Sequence, residues 1–240
     1  MVVCPGRGVY NAPELGYLKQ HHANKFDLFE QFDLQRRALD QAPIIDLDGA
    51  ERFSISKYTR GDNASGLIFA CSYADFININ RDTFEIVAVT GNSMGWYTTL
   101  ACGGALSADD GFKVVNTMGD IMQKQLIGGQ LIYPIVDENW QEAPELRNRI
   151  LTLVEKIDDL HVSIQLGGMI VLAGTPEALE QAENSLPPAQ ERFPMRLANH
   201  AAFHSPLLEP NSQAGKQALP ESLFSQPSLP MIDGRGEIWT

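Results

Sequence analysis

The sequence predicts an α/β protein: a main domain built on a parallel sheet, with a small inserted α+β subdomain of ferredoxin-like order. Three observations predict it. A continuous apolar run, Glu85–Val89, leads into Gly91-Asn92-Ser93-Met94-Gly95 and then a helix-compatible stretch, the strand, turn and helix of an open α/β sheet. Between about Gly129 and Ala198, strand-like and helix-like segments follow a β-α-β-β-α-β rhythm. Finally, 240 residues, 44% apolar and 20% charged, can bury a sizeable core and leave room for a smaller unit, which excludes disordered and fibrous classes.

Each element has its own signal. Val2–Cys4 is a short β-branched run ended by Pro5-Gly6-Arg7-Gly8, a strand entering a glycine-rich turn. From Glu14 to Leu39, Leu15, Leu18, Phe26, Phe29 and Phe32 recur at helical spacing, predicting one or two amphipathic helices. Ala42–Thr59 has no clear period. Gly66–Ile79 reads as a helix with Leu67, Cys71, Ala74 and Phe76 inward, and Glu85–Val89 as a strand buried on both faces. The stretch after Gly95 is helical as far as Gly103-Gly104. Ser107, with Asp110 three residues on, is the N-cap of a helix from Ala108 to about Gln125 that turns Phe112, Val115, Met118 and Met122 to one side.

The subdomain then comprises Leu131–Val136, the helix Pro144–Ile157, the strands His161–Leu166 and Met169–Ala173, the helix Pro176–Ser185 and the strand Met195–Ala198. The main domain is therefore expected over residues 1–128 and 199–240, the subdomain over 129–198. Ser205-Pro206 opens a short helix, with Pro at the first position, where no N–H is needed, and Leu229–Ile232 is a last apolar run.

Eighteen Lys and Arg against 30 Asp and Glu give a net charge of −12, which excludes a protein whose affinity comes from neutralising nucleic-acid phosphates. A phosphate-bearing small ligand stays compatible, because it reads a local patch. Cys4, Cys71 and Cys102 are widely spaced and form no C-x-x-C pair; that usage fits a reducing compartment, so a cytoplasmic protein without zinc is expected. The N-terminus lacks a basic segment followed by an apolar core, and no 18 consecutive apolar residues occur, so neither export nor a membrane span is expected. Metal-ligand spacing is absent, and Gly6-x-Gly8 is wrongly flanked for a dinucleotide, so no bound metal or redox cofactor is expected.

Gly91-Asn92-Ser93-Met94-Gly95 fits G-x-S-x-G between strand and helix, where two glycines let the chain reverse and leave the Ser93 hydroxyl exposed. A serine needs a base. His204 precedes a helix start, whose positive end disfavours imidazolium and keeps the ring neutral. His21 and His22 lie in a polar helical stretch and read as solvated, His161 flanks a strand, and His200 reads as a strand-end or surface residue.

Several ordered blocks resemble the malonyl-CoA:acyl carrier protein transacylases and the related acyltransferase domains of polyketide synthases. Val3-Cys4-Pro5-Gly6-Arg7-Gly8 is similar to their F-P-G-Q-G opening, and GNSMGWYTTLACGGALSADDGF to their G-H-S-L-G-E-Y-x-A-L-x-A-A-G-A-L-S-x-E-D-A. MIVLAGTPEAL resembles V-V-I-A-G-x-x-E-A-V, NHAAFHSPLLEP resembles V-x-x-x-F-H-S-x-L-M-x-P, and Met231-Ile232-Asp233-Gly234-Arg235 resembles a later N-x-x-G block. The resemblance implies a hydrolase-like three-layer main domain and ping-pong acyl transfer: Ser93 as nucleophile, His204 as base, and the backbone N–H groups of Met94 and Tyr10 as oxyanion donors. It also implies acyl-CoA as substrate and an acyl carrier protein as partner.

Where the family has the Arg that clamps the malonyl carboxylate, this chain has Met118. An unpaired buried carboxylate costs about 3–5 kcal/mol, so an uncharged acyl group is expected unless Arg7 or Arg196 supplies the charge. Asn92 and Trp96 replace the family's His and Glu beside the nucleophile, and Ser163-Ile164-Gln165-Leu166-Gly167-Gly168-Met169 replaces its N-F-N-S-P-G-Q, which puts Gln165 among the expected substrate contacts. Arg36-Arg37, Arg147, Arg149 and Arg192 are the candidates for a basic docking face. Two alternatives use the same residues differently: a thioester hydrolase with the same dyad, and a non-catalytic binding protein with an altered pocket.

Overall fold

The computed structural model describes residues 1–137 and 139–240. They fall into two units: Met1–Gln123 with Gly215–Thr240, and Lys124–Ala214. In the first unit β1 (Val2–Cys4) pairs in parallel with β2 (Val89–Gly91), Val2 opposite Val89 and Cys4 opposite Gly91. On the other side of β2 lies β7 (Met231–Ile232), also parallel, and β8 (Ile238–Trp239) closes the sheet antiparallel to it. The strand expected over Glu85–Val89 is therefore displaced to Val89–Gly91. Ile86, Ala88 and Val89 are buried while Glu85 and Val87 are exposed. The run is thus half-buried, not covered on both faces, and β1 offers ladder partners only from Val2 onward.

The helices of this unit are α1 (Tyr17–His21), α2 (Phe26–Arg37), α3 (Ile44–Asp48), α4 (Ile55–Tyr58), α5 (Gly61–Ile77), α6 (Gly95–Cys102) and α7 (Ala108–Lys124). Their core centres on three aromatic rings. Phe32 and Phe112 stack at 4.4 Å, and Phe69 meets them edge-on at 5.7 and 5.8 Å, the geometries ring quadrupoles favour. The N-cap expected at Ser107 is present: its Oγ accepts from the Asp110 N–H at 3.1 Å and donates to the Asp110 carboxylate at 2.7 Å.

The departures have tertiary causes. α3 and α4 are single turns in the stretch without a period, and α3 is started by Asp33 of α2, whose carboxylate accepts from the Ile44 and Ile45 N–H groups. α5 begins five residues before the expected Gly66, because Gln123 Oε1 accepts from the Gly61 N–H at 2.8 Å and Asn63 to Ala70 are buried all round, which erases the apolar period. His22, read as solvated, is 1% exposed with Nε2 2.8 Å from Asp75.

Arg36 is the largest correction, since it is fully buried and cannot belong to a docking face. Its guanidinium donates to the Ala42 carbonyl at 2.5 Å, the Asp62 carbonyl at 2.6 Å, Asn116 Oδ1 at 2.8 Å and Asn63 Oδ1 at 2.9 Å. Neighbouring Arg37 is exposed and pairs with Glu30 at 2.6 Å.

The second unit contains β3 (Gly129–Pro134), α8 (Pro144–Lys156), β4 (Leu160–Leu166), β5 (Met169–Gly174), α9 (Pro176–Ser185) and β6 (Met195–Arg196), and α10 (Glu209–Ala218) begins in it. The sheet runs β4-β5-β3-β6, every neighbour antiparallel, which is the ferredoxin-like order. Leu131, Tyr133, Ile150, Leu160, Ile170, Leu172 and Leu179 form its core. Pro144 and Pro176 open the two helices, and the Thr175 hydroxyl caps α9 by accepting from the Ala178 N–H at 3.2 Å. The α/β class with a parallel main sheet and a ferredoxin-like unit is the one found.

Replacing Arg36 with Ala leaves two Asn side chains and two carbonyls without their donor in a buried site, so Arg36→Ala should cost about 3–5 kcal/mol in urea unfolding. Arg37→Ala should cost under about 1 kcal/mol. Comparable midpoints for the two variants would contradict the structural role given to Arg36.

Candidate active site

Ser93 sits on the bend between β2 and α6 with φ of +54°, a left-handed conformation uncommon for a side chain with a Cβ. The flanking glycines make the bend possible. A Cβ on Gly91 would stand 2.3 Å from the Gly95 carbonyl, and one on Gly95 would stand 2.2 Å from the Cys4 carbonyl oxygen. The backbone is fixed as tightly: Asn92 N–H donates to the Cys4 carbonyl at 3.1 Å, Gly95 N–H to the Asn92 carbonyl at 2.8 Å and Trp96 N–H to the Ser93 carbonyl at 2.9 Å. Thr99, one turn into α6, donates its hydroxyl to the Gly95 carbonyl at 3.0 Å. Nothing in the motif pointed to Thr99.

Met94 is the N-cap residue of α6, so its amide belongs to the donors that a helix leaves unused at its start. Asn92 is exposed and Trp96 half-buried beside it. The loop after β1 runs along the bend. On that loop Arg7 donates to the Thr59 carbonyl; burial lowers its pKa to about 10 against the attraction of Asp62, which leaves it charged at neutral pH. Tyr10 turns its side chain into the core, where the phenol donates to Asp48 at 2.7 Å; burial and that bond push its pKa up. Any part it plays in catalysis is therefore left to its backbone. Met118 on α7 is half-buried, its sulfur close to the Gly215 backbone of α10.

His204 belongs to the second unit and also has a left-handed φ, +57°. His204 is exposed, and desolvation by the protein around it disfavours the imidazolium and lowers its pKa. Ser205-Pro206 opens a 3-10 turn, Pro206–Leu208, that runs into α10. Gln165 is exposed on β4 and accepts from Arg147 at 3.3 Å. Arg149 donates to the Ser185 carbonyl at 2.8 Å, Arg192 lies over the Phe193 ring, and Arg196 pairs with Glu183 at 2.7 Å. Thus Asn92, Ser93, Met94 and Trp96 share one bend in the first unit, while His204 and Gln165 are carried by the second. Among the described residues no group of three or more His, Cys, Asp or Glu could hold a metal ion, and no helix is long and apolar enough to cross a membrane.

The bend should tolerate no side chain at its second glycine. Gly95→Ala should destabilise the protein by roughly 3 kcal/mol or more through the clash with the β1 carbonyl, while Gly234→Ala, with nothing within 4 Å, should leave the thermal midpoint in place. A Gly95→Ala protein as stable as the parent would contradict the close approach.

No family model matches the chain. It is 25% identical over 146 residues to the malonyl CoA-acyl carrier protein transacylase of Buchnera aphidicola, covering 60% of this chain and 46% of that protein. The Bacillus subtilis protein of the same name is 22% identical over 220 residues, 86% of this chain and 66% of that one. The chain thus spans between about half and two thirds of these relatives. Among solved structures, the malonyl-CoA:acyl carrier protein transacylase of Xanthomonas oryzae superposes with a TM-score of 0.77 at 20% identity, over 96% of this chain and 71% of that one. A malonyl-transacylase solved with its type II polyketide acyl-carrier protein gives 0.76 at 20% identity, over 99% of this chain and 75% of that one. In sequence, then, the chain is similar at 22–25% identity to proteins named malonyl CoA-acyl carrier protein transacylase, and it has the fold of solved structures of that name.

Proposed function

We propose that this chain is an acyltransferase that carries an acyl group from CoA to the phosphopantetheine thiol of an acyl carrier protein through an ester on Ser93. The observation that carries it is the left-handed Ser93 on the glycine-flanked bend at the start of α6, the setting of a nucleophile elbow. His204 takes the Ser93 proton as Oγ adds to the thioester carbonyl carbon. The resulting oxyanion is held by the N–H groups of Met94 and Tyr10. Collapse breaks the carbon–sulfur bond, and His204 returns the proton to the departing CoA thiol. The carrier thiol then repeats the sequence in reverse and frees Ser93.

The side-chain pattern favours an uncharged acyl group such as acetyl or a longer chain. Met118 offers a thioether in place of a guanidinium, a soft apolar surface that suits a hydrocarbon and leaves a carboxylate unpaired. Arg196 is occupied by Glu183, and Arg7 is held against Thr59. Docking of the carrier protein is assigned to the exposed Arg147 and Arg149 on α8, the acidic partner meeting local positive charge on an acidic chain.

Intact-protein mass spectrometry with acetyl-, malonyl- and longer acyl-CoA tests this. An adduct on Ser93, absent in Ser93→Ala and passed to carrier protein, is expected, with malonyl roughly a hundredfold poorer than the best uncharged donor. An adduct that decays to free acid without reaching the carrier would make the protein a thioester hydrolase, and no adduct with any donor would make it a binding protein. Met118→Arg should raise malonyl loading by about tenfold or more.

The pH dependence follows from His204. Its pKa is held below the ordinary 6.5, so the neutral base persists as pH falls through 6.5 and loading should decline only below it. Because the folded state takes up that proton less readily than the unfolded one, stability should also fall as pH drops below 6.5. A loading rate that halves near pH 7 would contradict this role for His204.

A further inference from the structure

The second unit contains a line of side chains that ends on the peptide bond just before His204. His200 Nδ1 lies 2.7 Å from Gln130 Oε1, Gln130 Nε2 lies 2.6 Å from Ser163 Oγ, and Ser163 Oγ lies 2.8 Å from the Phe203 carbonyl oxygen. Gln130 is 2% exposed on β3, Ser163 is half-buried on β4, and His200 and Phe203 belong to the segment that carries His204. None of these contacts was visible in the spacing of the sequence.

The line has a single direction, because each link constrains the next. The Phe203 carbonyl can only accept, so the one proton of Ser163 goes to it. Ser163 must then accept from Gln130, which requires the amide nitrogen of Gln130 to face it. The amide oxygen therefore faces His200, and His200 must carry a proton on Nδ1. From imidazole to carbonyl, every polar atom named is satisfied, and each bond polarises the next.

The same segment is pinned on either side. Ala202 N–H donates to the Ile127 carbonyl at 2.8 Å, and Ser205 Oγ donates to the Ala202 carbonyl at 2.6 Å. Ala201 and Ala202 are fully buried. Only after Phe203 does the backbone swing into the left-handed conformation of His204. A residue held there persists when its surroundings over-determine it, and the Ser163 hydroxyl bonds the carbonyl that immediately precedes the swing.

We propose that His200, Gln130 and Ser163 are positioning residues: their directed hydrogen-bond line fixes the Phe203–His204 peptide and so aims the His204 imidazole. The proposal rests on the reading of His204 as the base. It adds that the base is aimed through its own backbone by side chains of β3 and β4. Misplacing a catalytic group by about 1 Å can cost roughly a hundredfold in rate, so the line should act on turnover and not on substrate binding.

The test uses the full chain with Ser163→Ala, which removes the donor to the Phe203 carbonyl, Ser163→Thr, which retains a hydroxyl, and His200→Ala, which removes the far end. Acyl loading should fall roughly ten- to hundredfold in kcat in Ser163→Ala, with KM for acyl-CoA unchanged. His200→Ala should lose less, and Ser163→Thr should recover most of the rate. Independently of activity, the His204 ring followed by NMR should titrate closer to 6.5 in Ser163→Ala than in the parent, because a loosened segment hydrates the ring. Parent-like loading and titration in Ser163→Ala, or an equal loss in Ser163→Thr and Ser163→Ala, would overturn the proposal. If the parent itself loads no acyl group, the acyltransferase reading fails, and the ring titration alone still decides whether the line holds His204.

Discussion

The close approach of three backbone segments around Ser93 is the constraint on which the rest depends. Cys4 at the end of β1, Gly91 at the end of β2 and Gly95 at the start of α6 lie so near one another that neither glycine has room for a Cβ. Sheet register sets this up, since Cys4 stands opposite Gly91 in the parallel pair. A parallel sheet ends all its strands on one side, and a chain that turns sharply there leaves the residue at the turn outside the hydrogen-bonded ladder. The left-handed Ser93 follows from that geometry, and so does the helix start that offers the Met94 amide. The chemistry proposed for Ser93 thus begins in the packing of backbone against backbone.

Elsewhere the chain settles much of its buried polarity by hydrogen bonding. Arg36 spends its guanidinium on two carbonyls and two side-chain amides in the interior of the first unit. Tyr10 is tied to Asp48, and Asp48 also accepts from the Leu18 N–H at 3.1 Å. In the second unit Gln130 joins His200 to Ser163. A satisfied buried network specifies one arrangement, because every alternative leaves a donor or acceptor unmet. This matters at His204, whose backbone conformation is costly for a residue with a side chain.

Local patterns made much of the fold legible. The β-α-β-β-α-β rhythm was readable because α8 and α9 each begin at a proline and each strand alternates with charged or glycine-bearing turns. Ser107 announced α7 through an N-cap that acts within four residues. Long-range causes stayed hidden. α3 is started by Asp33 from another helix, and α5 gains its first turn from Gln123 and is buried on all sides where Asn63 to Ala70 pass through the core. Arg36 looked like surface charge because composition cannot show that two asparagines and two carbonyls wait for it. At the site, G-x-S-x-G gave the bend, since its glycines are a local requirement. His200 looked like an ordinary strand-end histidine because its partners, Gln130 and Ser163, are 70 and 37 residues away in sequence. Gln130 itself precedes the strand expected from Leu131, and nothing local to it showed that it would be 2% exposed, where a polar side chain needs partners.

Ser93 is claimed to be an activated nucleophile, and a fluorophosphonate that phosphonylates activated serines tests this most directly, with the modified peptide located by mass spectrometry. One equivalent of label on Ser93, reduced at least about a hundredfold in rate when His204 is replaced by Ala, is the predicted result. Label on other serines only, or a rate on Ser93 indifferent to His204, would contradict the account.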